Sequence, residues 1–93
     1  MEHQIDGTAI RSKAEFYDAV AAALSFPDWF GRNLDALYDC LRDLSWLPAG
    51  EHVLVWREPE VFEHADPAGY RAVADVLMDA SEPGRLTVRL SPR

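Results

Sequence analysis

Residues 52–57, His-Val-Leu-Val-Trp-Arg, form a continuous apolar run rich in β-branched and aromatic side chains, with the breaker Leu47-Pro48-Ala49-Gly50 before it. It lacks the apolar–polar alternation of a strand with one wet face. It therefore reads as a strand buried on both faces, the middle of a parallel sheet. Parallel neighbours cannot be joined by tight turns, so helical crossovers must lie on either side of it in sequence.

The rest of the chain supplies them. His3–Asp6 is a weak strand candidate ending in an Asp6-Gly7 turn. Ser12-Lys13-Ala14-Glu15 is a capping box, and Phe16, Val20, Ala23 and Leu24 follow at helical spacing, predicting an amphipathic helix that ends near Ser25, before Pro27. Asn33 is a candidate N-cap for a second helix, with Leu34, Leu37, Tyr38, Leu41 and Leu44 on its apolar face. Glu58–His64 has room for one helical turn or two. Asp66-Pro67 offers an N-cap followed by proline at N1, opening a helix that turns Tyr70, Val73, Ala74 and Leu77 inward and stops at Pro83-Gly84. Leu86 to Leu90 alternate, as in a half-buried or edge strand. The expectation is an α/β fold: a small three-stranded parallel sheet, about four helices and right-handed crossovers, as one domain over residues 1–93. Trp56, Tyr70 and Met78 are expected in its core, with Arg57 and Glu58 in structural roles.

Sixteen acidic residues against nine basic ones give a net charge of −7. That speaks against direct nucleic-acid binding, which needs cations to displace counterions, and suits a basic partner. The single cysteine, Cys40, excludes an internal disulfide and reads as a small buried hydrophobe. No basic-then-apolar leader or long apolar span is present, so a cytoplasmic location is expected, with no membrane association. His3, His52 and His64 are scattered, without metal-ligand spacing, and read as surface or capping residues. Asp35 and Asp39 as an acid–base pair would need a cleft that successive turns of a short polar helix face do not make. Neither catalysis nor a cofactor nor a metal is expected.

The stretch Leu24–Trp46, LSFPDWFGRNLDALYDCLRDLSW, carries the functional signal. Pro27 and Gly31 punctuate a loop holding Trp29 and Phe30, and the helix after it places Asp35, Asp39 and Asp43 on one stripe. Like charges at this i, i+4 spacing destabilise a helix by about 0.2–0.5 kcal/mol per pair. Asp35 suits the positive N-terminal end of the helix dipole, but Asp39 and Asp43 lie towards the opposing end. Such a stripe is either a solvated face or charge held for a partner. The flanking aromatics Trp29 and Tyr38 favour a partner, because aromatic anchors beside charges are the composition of binding hot spots.

The run FPDWFGRNLDALYDCL is similar to the signature segment of the barstar family of intracellular ribonuclease inhibitors, and DGTAIRS, LVWRE and the LTVRLS ending extend the resemblance over most of the chain. It implies three parallel strands with about four helices, and a basic, extracellular-type ribonuclease made by the same or a related cell as partner. Asp39 matches the family residue that enters the catalytic phosphate site of the nuclease, and Asp35 one that meets a loop arginine. Trp29 stands at a tyrosine that packs on the catalytic histidine, and Tyr38 where a tryptophan is often found. Gly31 and Asn33 shape the loop and can reach a partner through their backbone, while a φ > 0 turn and an N-cap are the alternative readings of the two. Phe30 and Leu34 complete the candidate surface, and Asp79 lies about where the family carries an acid on the later helix. Departures from the family are Arg32, where its best-known member has an acid and which is expected either to pair with Asp35 or Asp28 or to face an acid on a different nuclease, and the ending Arg42-Asp43-Leu44-Ser45-Trp46, where a glycine–aromatic ending is usual. Asp43 and Trp46 are expected to occupy that space. An immunity protein or regulatory module of the same fold, with another partner, is the alternative reading.

Overall fold

The computed structural model describes residues 1–93. Strands β1 (Glu2–Asp6), β2 (His52–Arg57) and β3 (Leu86–Ser91) form one parallel sheet with β2 in the middle. Helices α1 (Lys13–Ala23) and α2 (Leu34–Asp43) make the first crossover, and α3 (Glu60–Ala65) and α4 (Pro67–Ala80) the second. No helix is long and apolar enough to cross a membrane.

Three caps set the helix starts. The Ser12 hydroxyl accepts from Glu15 N–H at 3.1 Å, Asn33 Oδ1 from Ala36 N–H at 2.8 Å, and Asp66 Oδ1 from Gly69 N–H at 3.0 Å. The Ser12 box closes one residue early, because the Glu15 carboxylate accepts from the backbone N–H of Arg11 at 2.9 Å. α2 ends on Leu44, a non-glycine residue in the left-handed region at φ 51°. That conformation costs about 1–2 kcal/mol. Leu44 is buried, and burial of a leucine side chain contributes roughly 1.5–3 kcal/mol, enough to hold it there.

The apolar side chains of the helices, among them Phe16, Val20, Leu24, Leu37, Leu41, Phe62, Val73 and Leu77, cluster with Ile5, Leu54, Trp56 and Leu86 from the sheet. Trp56 is the hub, with ring centroids 4.8 Å from Phe16 and 5.6 Å from Tyr70. Gly7 lets the chain leave β1 beneath this hub: a Cβ there would fall inside contact distance of the Arg57 carbonyl and 2.7 Å from that of Glu58.

His52, Leu54 and Trp56 bury the helix-covered face of β2, while on the other face Val55 is buried, Val53 half-buried and Arg57 exposed. Val55, only 4% exposed, lies outside the helical cluster. Its sheet neighbours are Gln4 and Arg89. Glu2 ties the two together, accepting from Gln4 Nε2 at 3.1 Å and pairing with Arg89 Nη2 at 3.3 Å, so a polar strap roofs the valine. Along β3 burial fades from Leu86 to an exposed Leu90 instead of alternating.

Two core expectations are corrected. Met78 is half exposed, because the buried positions of α4 are Gly69, Val73, Leu77 and Ala80, and Met78 lies a further 100° round the helix from Leu77. His52 is a core residue, not a surface one. Its side chain falls on the same face of β2 as Leu54 and Trp56, and the residue is 4% exposed. Its Nε2 lies 2.8 Å from the Pro48 carbonyl and its Nδ1 3.0 Å from His3 Nε2. A carbonyl only accepts, so His52 Nε2–H donates to it, and one proton is shared between His52 Nδ1 and His3 Nε2. Two histidines 49 positions apart thus satisfy one another across the sheet.

Candidate functional site

Asn33 starts α2 by capping it, and from there the helix geometry dictates the site. Leu37, Cys40 and Leu41 point into the core. Asp35, Tyr38, Asp39 and Asp43 point to solvent. None of the three aspartates forms an ion pair or accepts a hydrogen bond from another residue of the chain. The nearest arginines in sequence are drawn off elsewhere. Arg42, on the same helix, pairs with Glu82 at 3.0 Å. Arg32 takes φ 50°, turns towards α1, and meets the Asp18 carboxylate at 3.0 Å and the Ala14 carbonyl at 3.2 Å. This replaces the expected pairing of Arg32 with Asp35 or Asp28. It also removes the alternative reading of Gly31 as a φ > 0 turn, because the left-handed residue is Arg32, and Gly31 is not among the residues of positive φ.

The field of this stripe reaches the core. The Cys40 thiol is held above its ordinary range, first by burial and then by the negative charges of Asp39 and Asp43. An uncharged thiol under the acidic face is no nucleophile.

The loop before α2 is held by a chain of aromatic rings. Tyr17 on α1 meets Phe30 edge-on at 5.9 Å, Phe30 meets Phe26 at 4.9 Å, Phe26 meets Trp46 at 5.9 Å, and Trp46 meets Trp29 at 6.4 Å. Trp46 is pinned by its indole N–H, which donates to the Leu24 carbonyl at 2.9 Å. Each edge-to-face pair contributes about 0.5–1.5 kcal/mol beyond its buried area. The chain ends on Trp29, which stays 64% exposed, while Tyr38 on α2 is 40% exposed. Phe30, Leu34 and Trp46 are partly buried and form the base of the surface. Gly31 and Asn33 are exposed at the loop's end. Asp79 is exposed on α4, which packs against α2.

Sequence reasoning missed the role of Tyr17, the buried ring that anchors the aromatic chain to α1. Its position next to Phe16, on the edge of the apolar face, was the available signal. The structure contains no group of three or more His, Cys, Asp or Glu arranged to hold a metal ion.

A three-stranded parallel sheet with four crossover helices is an α/β fold of the barstar type. A family model described as Barstar (barnase inhibitor) matches residues 1–89, and the chain belongs to that family. A Bacillus subtilis (strain 168) protein named "Putative ribonuclease inhibitor YrdF" is 46% identical over 44 residues, which are 47% of this chain and 48% of that protein. The match thus spans about half the length of that relative.

Proposed function

We propose that the protein inhibits a secreted, guanyl-specific-type microbial ribonuclease, one-to-one and inside the cell that makes the enzyme. The observation that carries this reading is the unpaired stripe Asp35, Asp39 and Asp43 with Arg32 and Arg42 engaged elsewhere. A nuclease groove grips phosphates with arginine, lysine and histidine, and exposed carboxylates on a rigid helix can take the place of those phosphates. Asp39 occupies the centre of the stripe and is assigned the phosphate site. Trp29, on its aromatic pedestal, stacks beside it, Tyr38 fills the rim, and Asp79 adds an acid from α4. The partner-binding surface comprises these residues with Phe30, Gly31, Asn33, Leu34, Asp35, Asp43 and Trp46. The protein acts by blocking the groove, without chemistry of its own. The membership in the barstar family and the name of the B. subtilis relative support the same reading.

The test is titration of the purified protein into guanyl-specific microbial ribonuclease assays, with Asp39→Ala in parallel. A stoichiometric endpoint that the substitution abolishes at equal concentration is expected, and the association rate should fall steeply with salt. Inhibition indifferent to Asp39 would refute the assigned face. No inhibition by the wild type would move the fold to a regulatory or immunity role with another partner.

A further inference from the structure

Arg85 follows the Pro83-Gly84 turn and lies outside the acidic surface, yet its guanidinium reaches two helix ends at once. Nη1 donates to the Leu41 carbonyl in the last turn of α2 at 2.7 Å, and Nη2 donates to the Ala80 carbonyl at the end of α4 at 2.7 Å. Neither carbonyl accepts a backbone N–H. Both belong to the last-turn acceptors that a helix leaves without internal partners, and both sit at the negative end of a dipole. The side chain is 25% exposed, and Glu82, 4.0 Å from its Nε, simultaneously holds Arg42 of α2 at 3.0 Å. A planar guanidinium fixes two acceptors in one geometry, which an ammonium on a flexible stem does not.

We infer that Arg85 is the positioning residue of the acidic face: by capping α2 and α4 from one planar group it sets where the carboxylates of α2 stand relative to Asp79 on α4. The functional consequence rests on the inhibitor reading above, but the geometric one does not. Arg85→Lys preserves net charge and leaves a cation at both helix ends, so it separates geometry from electrostatics. Glu82→Gln is the control, because it removes the shared anion and leaves both caps in place.

Two readouts are taken on protein shown to be folded. Residual dipolar couplings of the free protein report the orientation of α2 against α4. Stopped-flow and dissociation kinetics with a guanyl-specific microbial ribonuclease report the complex. Arg85→Lys is expected to reorient α2 against α4 and to raise the dissociation rate on the order of tenfold, the scale of one lost interaction of about 1.4 kcal/mol. The association rate and its salt dependence should stay unchanged, which a loss of charge would not permit. Glu82→Gln should leave the orientation as in the wild type, and any effect of the Arg42 it frees should appear in the association rate and its salt dependence. Unchanged couplings in folded Arg85→Lys would overturn the inference, as would an equal reorientation of α2 against α4 in Glu82→Gln. If the wild type binds no such nuclease, the inhibitor reading fails, and the couplings alone decide the role of Arg85.

Discussion

Replacing Asp39 by asparagine should make the free protein more stable. Asp39 has Asp35 four residues before it and Asp43 four residues after it, and none of the three forms an ion pair. Two like-charge pairs of about 0.2–0.5 kcal/mol each put the relief at about 0.4–1 kcal/mol at low ionic strength. Asparagine and aspartate have closely similar helix propensities, so the exchange isolates the charge. The assay is urea unfolding of wild type and Asp39→Asn at low salt and at 1 M salt. At 1 M the screening length is about 3 Å, shorter than the roughly 5.4 Å of one helical turn that separates the carboxylates, so most of the gain should vanish. The sign is opposite to that expected for binding, where the same substitution weakens the complex. A destabilised Asp39→Asn would refute the reasoning, since it would mean that the carboxylate has a partner within the chain. A gain that survives 1 M salt would refute it too, because the effect would then not be charge repulsion.

Trp46→Phe should cost about 1–2 kcal/mol. It removes the indole bond to the Leu24 carbonyl, with a net contribution of about 0.5–1.5 kcal/mol, and some buried area besides. Trp29→Phe, at the exposed end of the ring chain, should stay within about 0.5 kcal/mol, and equal effects in urea unfolding would contradict the pedestal. For His3, burial and then the neighbouring His52 lower the pKa below the ordinary 6.5. The unfolded chain therefore takes up a proton at higher pH than the folded one. The associated stability is complete above about pH 6.5 and is lost as the pH falls through the lower folded value. The stability difference between wild type and His3→Gln should accordingly shrink from pH 7 to pH 5 in denaturant titrations. A difference that widens on acidification would reverse the assignment.

Much of the fold was legible because it is written in local chemistry. Ser12, Asn33 and Asp66 each mark a helix start by a side chain that can satisfy an orphan N–H a few residues on, and all three do so. The run His52–Arg57 identified the central strand from its uniform apolarity. That apolarity did not reveal that its second face is roofed by Glu2, Gln4 and Arg89, because side chains distant in sequence form the roof. The same limit explains His52, whose burial depends on His3 and Pro48, and Arg32, whose partner lies on α1 and not in its own loop. Periodicity tells which face a residue occupies. It does not tell what the topology brings to meet it, so the pedestal under Trp29 left only the position of Tyr17 beside Phe16 as a trace, and the double cap of Arg85 carried no signal in the sequence.

The placement of the cations follows from one requirement. An acidic stripe flanked by arginines on the same loop and helix would ordinarily neutralise itself, since i, i+3 and i, i+4 pairs form readily on a helix surface. Arg42 lies three residues after Asp39, yet it spans to Glu82 beyond α4, and Arg32 spans to Asp18 on α1. Each arginine thereby ties α2 or its loop to a neighbouring element. An exposed ion pair contributes only about 0–1 kcal/mol, so neither contact is needed chiefly for stability. What both achieve together is that the cations are taken up by neighbouring elements while the anions of the helix stay free. Asp18→Asn and Glu82→Gln release those cations. On this view each change leaves the fold intact but lets an arginine turn back to the stripe.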